Sequence, residues 1–205
     1  MSAGVTYYNA LPVSPSVALV LHRLGYKKQA GPPPENVIRA IHRYIARLRV
    51  QGAFLRVPLT RVEAPDIFLA DGTVISSAGL SELLENSAEI AFLASSVPDA
   101  MALIAQRFSA NAADDAVILD AVAAQCADAG LDSILRLQGA LLHRRGLTFT
   151  ERRFSPGYGD VALSFQKNIF DRLMLDTTGM KIDETSFMLS PEKSVLAVAG
   201  VETIA

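Results

Sequence analysis

The residues best equipped for chemistry in this 205-residue chain stand together between Arg152 and Asp160, in the run Arg-Arg-Phe-Ser-Pro-Gly-Tyr-Gly-Asp. Guanidinium groups present forked donors that match a carboxylate. Pro156 stiffens the backbone, Gly157 and Gly159 allow close approach of main-chain amides, and Tyr158 brings a flat face with a hydroxyl. The set suits a small-molecule cradle in which Arg153 takes a carboxylate, amides around Gly157 donate to polar ligand atoms, and Tyr158 meets a ring. A tight structural loop with its arginines in water uses the same residues, and composition leaves the two readings open.

Elsewhere the chemistry is sparse. The sequence has no Walker loop, zinc-ligand cluster, Gly-x-Ser-x-Gly elbow or Gly-x-Gly-x-x-Gly turn, which removes the common nucleotide and hydrolase readings. No catalytic side chain and no metal ligand is assigned. Cys126 stands among alanines in a helical stretch and reads as a small buried hydrophobe rather than a nucleophile. His22, His42 and His143 are single residues within helical patterns. Arg39, Arg43 and Arg47 recur at four-residue spacing, a basic stripe that reads as a solvated face or as a docking surface for an acidic electron donor.

The elements that must hold the loop follow from period and punctuation. Pro15 to Tyr26 reads as a short helix stopped at Gly25, and Glu35 to Val50 as an amphipathic helix. Ala53 to Val62 is strand-like but contains Pro58, which predicts an edge or interrupted strand. A hairpin is expected about Asp71-Gly72, a short helix over Leu80 to Glu85, and a buried strand over Glu89 to Ala94. Asp99 to Phe108 and Ala112 to Arg145 read as helices, the second split at Gly130. Beyond the loop, a helix over Leu163 to Leu173 precedes strands near Ser186 to Leu189 and Ser194 to Val201. Strands and helices do not alternate strictly, so the fold class is α+β with a mainly antiparallel sheet.

Nineteen Lys and Arg against 21 Asp and Glu leave a net charge of −2, too near neutral for a whole-chain nucleic-acid field. Mean hydropathy is +0.28, yet no apolar stretch is long enough to span a membrane. Met1 to Ser14 has no positive charge ahead of an apolar segment, so no secretory signal is expected. One cysteine closes no intramolecular bridge, which fits a reducing, cytoplasmic setting. One domain over residues 1–205 is expected.

Arg153-x-x-x-Gly157-Tyr158 resembles the Arg-x-x-x-Gly-Tyr signature of the S-adenosylmethionine-binding reactivation domain of cobalamin-dependent methionine synthase. The following Leu163-Ser164-Phe165-Gln166 and Ile169-Phe170, then Glu184-Thr185-Ser186 through Pro191 to Val195, are similar to that domain's C-terminal block. The specific motifs cover about residues 150 to 200, and the upstream pieces resemble short, free-standing members. The resemblance implies a bent, mainly antiparallel sheet with flanking helices and a shallow groove for S-adenosylmethionine, built at Arg153, Ser155, Pro156, Gly157, Tyr158 and Gly159. It implies a subunit of a methyltransferase system in methionine biosynthesis, which supports reductive methylation of cobalamin with an electron from flavodoxin or another reductase. No Asp-x-His-x-x-Gly loop occurs, so cobalamin is expected on a partner methionine synthase module or corrinoid protein. The large enzyme's domain continues beyond its last matching strand, it has an acidic residue before the motif arginine where this chain has only Glu151, and its Thr-Glu order is reversed at Glu184-Thr185. Two alternatives stand beside this reading: an interaction module that docks on a corrinoid protein without binding the methyl donor, and a sensor of some other carboxylate ligand.

Overall fold

Ile90-Ala91-Phe92-Leu93-Ala94 is apolar at every position because both of its faces are covered. In the computed structural model, which describes residues 4–26 and 31–204, Ala91 and Leu93 enter one core while Ile90, Phe92 and Ala94 enter another on the opposite face. The elements, in chain order, are β1 (Thr6–Tyr8), α1 (Val17–Arg23), α2 (Glu35–Arg47), β2 (Gln51–Glu63), β3 (Asp66–Leu69), β4 (Val74–Ser76), α3 (Ala78–Leu84), β5 (Ser87–Ser96), α4 (Ala100–Ser109), α5 (Ala113–His143), β6 (Leu147–Phe149), α6 (Phe165–Arg172), a 3-10 turn (Leu175–Thr178), β7 (Lys181–Ile182), β8 (Leu189–Ser190) and β9 (Ser194–Thr203). Of the Met1 to Ser14 stretch, residues 1–3 lie outside the described set.

The main sheet is antiparallel at every described pairing and runs β4-β3-β2-β5-β9-β6, with β1 also on β2. The fold is α+β with a curled antiparallel sheet between two layers of helix. One core includes Val20 of α1, Ile41 and Tyr44 of α2, Ile104 of α4 and Leu119 and Ile134 of α5. The other gathers Leu80 and Leu84 of α3, Ile169 and Phe170 of α6, and Leu175. Among the described residues no helix is long and apolar enough to cross a membrane.

Three expectations need correction. The strand carrying Pro58 is interior rather than an edge, because β2 pairs β5 from Gln51 to Pro58 and passes to β3 from Leu59 to Glu63. Its proline, which has no N–H to give, stands at the last step of the β5 ladder, just before a register shift between Leu59 and Arg61. The long helix does not split at Gly130. α5 is continuous over 31 residues, and an added Cβ at Gly130 would lie 2.0 Å from Ser95 Oγ and 2.8 Å from Val50 Cγ1. The glycine there is a close approach of helix to sheet. Finally, Ser186 to Leu189 is mostly a turn, with Phe187 at φ 58°, closed by the two-residue ladder of β7 and β8.

The other helices and strands expected from the sequence match in outline. Ser16 caps α1 through its hydroxyl, which accepts from Leu19 N–H, and Gly25 ends that helix at φ 84°. Gly72, at φ 87°, turns the β3–β4 hairpin.

Candidate functional site

The loop after β6 is held at three points. Arg153 reaches α5, where its Nη2 donates to Asp128 Oδ1 at 2.8 Å and its Nη1 donates to Asp132 Oδ1. Those two aspartates lie four apart and so share one face of the helix. Next, Phe154 exchanges backbone hydrogen bonds with Val198 of β9 at 2.9 and 2.8 Å. At the far end, the Asp160 carboxylate accepts from the N–H of Ala78 (2.6 Å), the N–H of Gly79 (3.2 Å) and the Ser77 hydroxyl (3.1 Å). It thereby satisfies donors that open the first turn of α3. Desolvation would raise the Asp160 pKa, but the bonds from Gly79, Ser77 and Ala78 outweigh it and hold the carboxyl below its usual range.

Between these anchors the chain makes a tight turn. Gly157 N–H donates to Val161 O at 2.8 Å, and Val161 N–H returns to Tyr158 O at 3.2 Å. Gly157 and Gly159 have φ of 89° and 60°, a left-handed backbone that side chains rarely adopt. Pro156 is buried beneath the turn and Ser155 is half-buried. Tyr158 stands out at 72% exposure.

A cavity of about 410 Å³ opens beside this turn, within the range of small-molecule sites. Ala124, Ala127 and Asp128 of α5 contribute to its lining, Ser155 and Tyr158 come from the loop, and Arg23 reaches in from the end of α1. The remainder is Glu192 to Val195, where the chain enters β9. Lys193 Nζ lies 2.8 Å from Asp120 Oδ1. The cavity thus has both signs of charge on its walls. A second cavity of about 370 Å³, at Tyr7, Gln51, Ser96 and Thr177, has no charged side chain in its lining.

Of the six residues singled out in sequence, Ser155 and Tyr158 border the charged cavity, and Pro156, Gly157 and Gly159 shape the turn that presents them. Arg153 does not line the cavity; its guanidinium is committed to α5. Sequence reasoning missed Arg23, Asp128 and Lys193. The only signal among them was the four-residue spacing of Asp128 and Asp132, which marks one helix face without saying what it meets.

The other candidates are accounted for locally. Cys126 is fully buried, and burial pushes its thiol up to about 12, so it stays protonated near neutral pH. In the basic stripe, Arg39 pairs with Glu35 at 2.8 Å and Arg43 with Asp115 at 3.1 Å. Among the described residues no group of three or more His, Cys, Asp or Glu could hold a metal ion.

No protein-family model matches this chain, and no curated protein does. A solved structure described as the crystal structure of the MetH reactivation domain bound to AdoHcy is similar over 97% of this chain and 78% of that one, with a TM-score of 0.70 and 16% sequence identity. The chain has the fold of the MetH reactivation domain, with the Arg153 to Asp160 loop tied across its sheet from α5 to α3.

Proposed function

We propose that the chain binds S-adenosylmethionine in the cavity beside Tyr158 and serves the reductive methylation of cobalamin on a methionine synthase or corrinoid partner. The observation that carries this reading is that the Arg-x-x-x-Gly-Tyr turn borders a charged cavity in a chain with this fold. S-adenosylmethionine carries a carboxylate, an ammonium and a sulfonium. The cavity wall carries both signs for these groups, Arg23 and Lys193 positive and Asp128 and Glu192 negative. Tyr158 offers its face to the adenine, and Arg153 holds the turn on α5.

A corrinoid on the partner, reduced by one electron from a flavodoxin-like donor, would supply the acceptor for the methyl group and leave S-adenosylhomocysteine in the cavity. No proton moves, so this chain needs neither a general acid nor a nucleophile; its part is to hold the donor in line and open to the partner.

Isothermal titration of the chain with S-adenosylmethionine, S-adenosylhomocysteine and methionine tests this. One-to-one binding of the two nucleosides is expected, weakened about tenfold in Tyr158→Ala. A folded chain that binds neither nucleoside overturns the methyl-donor role and leaves an interaction module that docks on a corrinoid protein.

A further inference from the structure

Arg153 is the motif residue expected to take the ligand's carboxylate, yet its fork is filled by Asp128 and Asp132 and it lies off the cavity wall. A carboxylate brought to Arg153 would have to displace one already there and leave an aspartate without its cation. The cavity has another guanidinium, at the end of α1. Arg23 lines it together with Asp128, Ser155 and Tyr158 and has no carboxylate within ion-pair distance among the described residues. What holds Arg23 is a neutral group: with the Gln125 amide oriented to satisfy both partners, its oxygen accepts from Arg23 Nε at 2.7 Å and from Nη2 at 3.2 Å. Gln125 is only 6% exposed, so the bond comes from inside the α5 packing and fixes the direction of the guanidinium without cancelling its charge. Three of its five N–H donors remain for a ligand, including both on Nη1. Lys193, the other cation on the wall, is engaged by Asp120.

Resting on the S-adenosylmethionine reading, we infer that Arg23, oriented by Gln125, binds the ligand's carboxylate and that Arg153 is a positioning residue for the turn. The site is therefore selective for an adenosyl ligand that keeps its amino-acid carboxylate, and the selectivity comes from α1, more than a hundred residues before the motif.

The test compares S-adenosylmethionine with its decarboxylated analogue, which lacks only that group, by calorimetric titration of wild type, Arg23→Gln, Arg23→Lys and Arg153→Gln. Wild type is expected to prefer the carboxylated ligand. Arg23→Gln should weaken that ligand about 10- to 100-fold and leave the analogue unchanged, erasing the preference. Arg23→Lys should restore part of it, since the charge returns without the fork. Arg153→Gln should weaken both ligands alike, or lower the melting temperature, with the preference kept. If wild type shows the preference and Arg23→Gln keeps it, or if Arg153→Gln alone erases it, the assignment to Arg23 is overturned while the methyl-donor reading stands. If folded wild type binds neither ligand, both fall together.

Discussion

Asp71, in the turn between β3 and β4, accepts from Arg172 Nη1 of α6 at 2.5 Å and from Thr73 N–H at 3.0 Å. The bond from Arg172, with those from Thr73, outweighs desolvation and lowers its pKa to about 2. A carboxylate with a depressed folded-state pKa adds stability that is present above its unfolded value near 4 and is lost as pH falls toward 2. Asp71→Asn should therefore be less stable than wild type at pH 7, by no more than about 1 kcal/mol for so exposed a group. Melting curves from pH 7 to 2 should show the gap closing between about pH 4 and 2; a constant gap would assign the effect to turn geometry instead. At this scale the sequence is readable where a residue's type dictates its use, as with Gly157, Gly159 and the thiol of Cys126. Arg153 was readable as a forked donor but its partners were not, because Asp128 and Asp132 lie 25 and 21 residues earlier in the chain and meet it only through tertiary packing.

Among the elements, α5 turns on one position. Gly130 in a helix interior forgoes about 1 kcal/mol of helix propensity relative to alanine. Gly130→Ala recovers that term but drives a methyl group to 2.9 Å from Ser95 Cβ and 2.8 Å from Val50 Cγ1, and overpacking of a β-strand neighbour costs about 1 to 3 kcal/mol. Because the clash includes a Cβ that cannot swing aside, a net loss is expected, read as a lower urea midpoint at unchanged slope; a gain would mean that helix and sheet separate readily here. Helix propensity carries the conformational cost of Gly130 but not its neighbour Ser95, which only tertiary packing brings against it. The same limit explains Pro58: its missing N–H was legible, and its place at the end of one ladder and the start of another was not.

For the molecule as a whole, two cores lie on opposite faces of the same strands, so neither closes without β2, β5 and β9. Unfolding should be a single transition, coincident by far-ultraviolet circular dichroism and by tyrosine fluorescence, in which buried Tyr44 reports the α2 and α5 side. Separated midpoints would show that one layer survives alone. The α+β class was legible because strand and helix patterns do not alternate. The strand order was not, since β9 enters between β5 and β6 and long-range pairing leaves no periodic trace in the chain. The loop from Arg153 to Asp160 crosses between these layers, tied to α5 on one side and α3 on the other. Its contour length is thus set by the gap it bridges. Side chains inside it can change and alter only what is bound, whereas an inserted or deleted residue must detach one end, so variation in this segment is confined to identity and denied in number.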